Sequence, residues 1–257
     1  MVEPEPINVE EYSKALRRLS AGLPGELRFR FESTLNHIDK SLILFDFDRE
    51  MASFRAITAE EEAATALMHA LRLRRYAHAQ KFNPRSHQHK AAILACLVAI
   101  RNSVQPLLVK FNLIFDYKNT RIDIKLPLSN FGVEGGENFA LQPSDPLDFL
   151  HSRSDVAEKD LFTDVLDELA GNLNFRDIKA MVASQANHRN MLLYASDNAV
   201  PKSRATLEAL QTRQLRSFAL LTLTVMIWQK KGRQTFVSQA ILAFLGIISA
   251  LPSDDET

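Results

Sequence analysis

The sequence predicts a mainly α fold, one or more helical bundles with a single β-hairpin at about residues 108–128. Two observations carry that prediction. Apolar residues recur at three- and four-residue intervals over most of the chain, as in Phe31, Leu35, Ile38 and Leu42, which is the spacing of one helical face. Only after Pro106 does the period change to two, where Val109, Phe111, Leu113 and Phe115 alternate with polar neighbours.

In chain order, Asn8 and Glu11 make an Asn-x-x-Glu cap for a short first helix that Gly22 and Pro24 stop. The next stretch keeps a three-four spacing from Phe31 to Phe45 and is read as a helix. Within it, LILFDFD with Asp46 and Asp48 resembles the strand-ending Asp-x-Asp of the haloacid-dehalogenase phosphatases. Glu50 and the lack of alternating strands and helices downstream argue against that fold. Thr58 and Glu61 form a capping box, so a helix is expected to start there and run through Ala66, Leu67, Ala70 and Leu71. Asn83-Pro84 breaks the chain before a strongly apolar helix from Ser86 to about Asn102. Lys118-Asn119 then turns the hairpin into RIDIKLPL, with Ile122, Ile124 and Leu126 on one face.

A glycine- and proline-marked stretch at 131–150 reads as a linker between an N-terminal half, 1–130, and a helical C-terminal bundle, 151–251, with a tail at 252–257. In that bundle the spacing predicts helices over Val156–Ala170, around Phe175–Ser196, from about Lys202 to Gln229, and over Thr235–Leu251.

With 46% hydrophobic residues the chain can bury a substantial core. Lys and Arg number 31 against 31 Asp and Glu, so any attraction to nucleic acid must be local rather than global. The single cysteine, Cys96, lies in the apolar run AAILACLVAI and suits a small buried residue in a reducing cytoplasm. The apolar runs 217–228 and 235–251 fall short of the ~20 residues that span a bilayer, so no membrane association is expected. No cofactor-binding motif and no metal motif is complete; His87-x-His89 offers two ligands without a nearby cysteine or a His-Glu-x-x-His pattern.

Two constellations carry chemistry. Residues 63–115 hold eight basic side chains and no acid, together with four of the seven histidines. Arg72, Arg74, Arg75, His78, His87, His89 and Lys90 are the candidate phosphate-binding set, because Arg gives bidentate contacts and Lys a point charge. The same stretch could instead answer the acidic segment 132–170. The second constellation, His188, Arg189 and Asn190, interrupts the apolar pattern of FRDIKAMVASQANHRNMLLYAS. A buried Arg needs a partner, so Arg189 is either turned to solvent or held for a reason.

Arg189-Asn190-Met191-Leu192-Leu193-Tyr194 resembles the Arg-polar-x-x-x-His signature of the HEPN superfamily, over residues 150–251 at most. The resemblance implies a small helical bundle, often a dimeric ribonuclease of a bacterial toxin or defence system, with Arg189, Asn190 and Tyr194 at its site and RNA or a nucleotide as partner. Tyr194 stands where the family has histidine, and a phenol of pKa ~10 replaces imidazole poorly near neutrality. The expected function is therefore RNA or nucleotide binding, atypical or inactive as a ribonuclease. Arg72 and His78 fit the same interval without the polar residue after the arginine. The alternative is a non-enzymatic interaction or structural protein acting as a homodimer through its apolar C-terminal helices.

Overall fold

A computed structural model describes residues 8–104, 112–131, 139–150, 157, 162–172, 176–194, 200 and 202–249. Residues 108–111 of the expected hairpin, 158–161 of the expected helix and the tail 252–257 lie outside them. The described residues form eight α-helices and a small antiparallel sheet: α1 (Val9–Ser20), α2 (Gly25–Leu44), α3 (Arg49–Leu73), α4 (His87–Val104), β1 (Asn112–Asp116), β2 (Arg121–Pro127), β3 (Ala140–Leu141), α5 (Thr163–Asn172), α6 (Ile178–Leu193), α7 (Leu207–Gln229) and α8 (Thr235–Ile248). The mainly α fold with its hairpin is thus the observed one, and the region of the expected linker adds β3 to the sheet.

Helix α1 is capped by Asn8, whose Oδ1 accepts from the Glu11 amide at 3.2 Å. The capping box at Thr58 does not start a helix. Asp48 does so ten residues earlier in the chain, accepting from the Met51 amide at 2.9 Å, and the Thr58 hydroxyl donates to the Phe54 carbonyl inside the helix at 2.8 Å. A Ser/Thr-x-x-Glu pattern within a run of good helix formers gives the chain no reason to break. Asp48, the second carboxylate of the Asp-x-Asp, is accordingly a cap residue. Helix α7, in contrast, starts later than expected, at Leu207, where Thr206 accepts from the Ala209 amide at 3.2 Å.

Helix α3 is the centre of the bundle. Its buried face is mostly alanine, including Ala56, Ala59, Ala63, Ala64, Ala66 and Ala70, which lets α2 and α7 lie close along it. Three contacts fix the direction of α7. Ser53 bonds Ser203 at 2.7 Å, Glu60 meets Arg213, and Arg74 meets Trp228, so α3 and α7 run parallel. Parallel neighbours require a long connection, and the intervening chain supplies the sheet, α4, α5 and α6. One apolar core draws on both halves of the sequence: Leu16 and Leu19, Phe31 and Leu35, Met68, Ala92 and Cys96, Phe162, Met181, Phe218, Val225, Ile241 and Phe244. Burial pushes the Cys96 thiol up to about 12, so it stays protonated.

The hairpin register sets Leu113 opposite Ile124 and Phe115 opposite Ile122, so one face is apolar and packs against the helices. Gln229, at the end of α7, holds β2 as a neighbouring strand would. Its side chain accepts from the Ile122 amide at 2.8 Å and donates to the Ile122 carbonyl at 3.1 Å. Among the described residues no helix is long and apolar enough to cross a membrane.

Candidate functional site

Helices α3, α4, α6 and α7 meet around a small recess lined by Ile57, Glu60, Glu61, His87, Gln185, Arg213 and Arg216, among others. Helix periodicity accounts for who faces it. Ile57, Glu60 and Glu61 are spaced by three and four on α3, Arg213 and Arg216 by three on α7, and Gln185 and Ala186 reach it from α6. Arg189 continues the buried row Val182 and Ala186, which carries its guanidinium inward instead of to solvent.

Glu61 anchors one side. His87, the first residue of α4, places Nδ1 2.7 Å from Glu61 Oε1, and Lys90, one turn on, places Nζ 3.9 Å from Glu61 Oε2. Arg189 Nη1 lies 3.2 Å from His87 Nε2, and the guanidinium sits over the Phe54 ring at 5.1 Å. An arginine can only donate, so Nε2 must accept, and His87 is therefore the neutral tautomer with its proton on Nδ1, given to Glu61. Burial is the chief cause that holds the Lys90 ammonium below its ordinary value, while Glu61 and Glu62 act in the opposite sense.

Glu60 anchors the other side. It is 1% exposed, forms an ion pair with Arg213, and has Arg216 Nη1 3.7 Å from its Oε1. Burial pushes its carboxyl above the usual carboxylate range, and the two guanidiniums oppose that shift. Oε1 of Glu60 and Nε of Arg189 are buried without a hydrogen-bond partner among the described residues. Across the cluster Lys90 lies beside Glu61, Arg213 and Arg216 pair with Glu60, and Arg189 is linked to Glu61 through His87. The recess is small and partly open, with Ile57, Ala91, Leu94 and Ala186 beside the charged side chains in its lining.

Of the residues singled out in the sequence, the fold brings together His87, Lys90 and Arg189. It does not bring in the others. Arg72 donates to the backbone carbonyls of Ala79 and Phe82 and so ties the loop after α3. Arg74 donates to the Trp228 carbonyl and stacks over that indole at 3.8 Å. Arg75 and His78 are exposed residues of the same loop, both with positive φ. His89 is two residues from His87, hence roughly 200° around the helix; its Nδ1 accepts from the Asn83 amide at 3.0 Å and its ring meets Phe244. The two histidines thus do not converge, and among the described residues no group of three His, Cys, Asp or Glu could hold a metal. Asn190 is exposed, and Tyr194, 68% exposed, ends α6 in an extended conformation five residues beyond Arg189.

Glu60, Glu61, Gln185, Arg213 and Arg216 were not legible as site residues. One signal for Glu60 was present, since it occupies an alanine-rich helical face with Ala56 and Ala63, where a charge needs a partner. Compared with known proteins, the chain matches no family model, no curated protein and no solved structure.

Proposed function

We propose that this protein is an RNA- or nucleotide-binding module that holds a phosphate group at the recess between α3, α4, α6 and α7, and that it is atypical or inactive as a ribonuclease, as the HEPN resemblance with Tyr194 in the histidine position implies. The observation that supports the reading is the meeting of Arg189 with His87, Glu61 and Lys90 beside the Arg213–Glu60–Arg216 group. Four cations around two carboxylates leave excess positive charge in a partly desolvated place, which an anion offsets. The exposed phenol of Tyr194, on a different face from the Arg189 guanidinium, fits binding without efficient cleavage.

The test is a titration of a short oligoribonucleotide at low and raised salt, with the wild-type chain and Arg189→Ala. Binding should weaken steeply with salt because phosphate contacts release counterions, and Arg189→Ala should weaken it by about tenfold or more. No binding at low salt, or Arg189→Ala binding as the wild type does, would remove the reading.

The second reading, a non-enzymatic protein that dimerises, is favoured by a different observation. Phe29, Ile43 and Phe47 are 60%, 68% and 85% exposed on α2 and the turn after it, an apolar display that solvent does not favour. This reading takes α2 as the contact in place of the C-terminal helices, whose Phe236, Ile241, Phe244 and Ile247 are buried in the core. Sedimentation of the wild type and of Ile43→Lys/Phe47→Lys tests it: a dimer that the double variant dissolves supports this reading, and a wild-type monomer refutes it.

A further inference from the structure

The outward face of α2 carries a pattern that matches itself when turned end for end. The helix is held along two flanks. Asp39 pairs with Arg17 of α1 at 2.5 Å, while on the opposite side Arg30 pairs with Glu62 of α3 at 2.7 Å and His37 Nδ1 lies 3.4 Å from Arg55 Nη1. Between those flanks, helical periodicity places Phe29, Glu32, Ser33, Asn36, Lys40 and Ile43 on an arc of roughly 100°. All of them except Ser33 are exposed, as is Phe47 in the turn after the helix. Phe29 and Ile43 each lie seven residues from Asn36, Glu32 and Lys40 four, and Gly25 and Phe47 eleven.

We propose that this face is covered by the same face of a second copy of the chain, antiparallel, with the two-fold axis at Asn36. The inference rests on the dimer reading above and gives it a geometry. A two-fold contact uses one patch twice, so the patch must complement itself. Antiparallel about Asn36, each residue meets the one equally far on the other side. Glu32 then faces the partner's Lys40 at two places, and Asn36 faces the partner's Asn36, where one side-chain amide can donate to the carbonyl of the other. Phe29 faces the partner's Ile43, and Gly25, with no side chain, leaves room for the partner's Phe47. The Phe29 ring lies on that side, since a Cβ on Gly25 would be 3.5 Å from it, so each end of the contact closes on three apolar side chains. Glu32 has Arg28 Nε at 3.8 Å within its own helix, and a carboxylate accepts from two cations at once.

Other arrangements of the same two faces lose this match. Parallel helices set Glu32 on the partner's Glu32 and Lys40 on the partner's Lys40. An antiparallel register shifted by one turn sets Lys40 against the partner's Arg28 and Phe29 against the partner's Asp39. The opposite shift sets Glu32 against the partner's Leu44 and Ile43 against the partner's Ser33. Like charges or a buried charge against an apolar group penalise each of these, which is how a contact of one helix selects its register. One helix pair is a small interface, so the dimer is expected to dissociate at concentrations of the order of micromolar.

The experiment is sedimentation of the full chain over a range of concentrations at low salt, comparing the wild type with Glu32→Lys, with Lys40→Glu, and with an equimolar mixture of the two variants. Each variant alone sets like charges opposite one another at two places and should weaken the dimer by about tenfold, with a smaller effect at raised salt. The mixture restores two opposite-charge contacts and should dimerise as the wild type does. Both positions are exposed, so circular dichroism and the melting temperature should stay as in the wild type. A wild-type chain that remains monomeric overturns this inference and the dimer reading together, and leaves the face to a different protein. A dimer that Ile43→Lys/Phe47→Lys dissolves but neither charge variant weakens keeps the dimer reading and overturns the register. Weakening in each variant without recovery in the mixture overturns the antiparallel pairing. A dimer that survives all of these changes lies elsewhere on the chain and overturns both.

Discussion

Glu60 offers the sharpest test of how this bundle is held together. It is a carboxylate at 1% exposure on the inner face of α3, and its partner Arg213 lies on α7, across the parallel packing that organises the fold. Glu60→Leu keeps the volume roughly constant, so the main effect is a stranded guanidinium rather than a cavity. Breaking a buried ion pair on one side costs about 3–5 kcal/mol. The Arg213 side chain keeps 26% of its surface and Arg216 38%, so both can partly rehydrate, which places the expected loss near the lower end, ~3 kcal/mol. At about 2–4 °C per kcal/mol for a chain of this size, the melting temperature should fall by roughly 6–12 °C. Urea unfolding followed by circular dichroism and by the single tryptophan, Trp228, measures it. Glu60→Leu/Arg213→Leu should be more stable than the sum of the single losses by ~2 kcal/mol or more, because the second change removes the charge that the first left alone. A single-variant loss below about 1 kcal/mol, or strict additivity, would refute the claim that this pair clamps α3 to α7.

Other regions give further expectations. Arg74→Ala removes both the stack on Trp228 and the bond to its carbonyl, and should lower stability by ~1.5–3 kcal/mol with a change in tryptophan emission; unchanged emission would contradict the stacked geometry. Gln234, fully buried, accepts from the Leu147 amide and donates to the Met226 carbonyl, both at 3.0 Å, so Gln234→Ala strands two backbone groups and should destabilise by ~2–4 kcal/mol in urea unfolding. A Cβ on Gly22 would fall on the Thr120 hydroxyl, so Gly22→Ala should destabilise, and Thr120→Gly, at a position of positive φ, should rescue it in a thermal melt. Burial is the first cause holding His37, His69 and His188 below the ordinary imidazole value, helped by Arg55, Arg30 and Arg213 respectively. Their unfolded forms bind protons first, so the stability they contribute is present above about pH 6.5 and is lost as pH falls below it; a melting temperature flat from neutrality to about pH 5 would contradict this.

The site was half legible, for a reason visible in Arg189 and Glu61. Arg189 was conspicuous because a charge broke an apolar row, and His87 and Lys90 because they lay in a run without acids. Glu61 looked like a capping residue and Glu60 was not singled out, since local spacing cannot tell a helix start from the middle of a 25-residue helix. The run of basic residues without acids was misleading in the same way: Arg72 and Arg74 lie two positions apart in the chain, yet their guanidiniums close a loop and an interhelical contact.

Periodicity depends on neighbours three, four or two residues away, so the sequence by itself determined the helices, the hairpin with Ile122 and Ile124 on its packed face, and the Asn8 cap. Tertiary structure alone decided that α3 and α7 run parallel, that Gln229 closes the edge of β2, and that Glu61, His87 and Arg189, spread over 129 positions of the chain, line up hydrogen bond by hydrogen bond. Those facts depend on which apolar faces cover one another, and a face carries no label for its partner: the alanine row of α3 would accept any helix able to approach it, and burial of the Glu60 charge is satisfied by the one that brings Arg213.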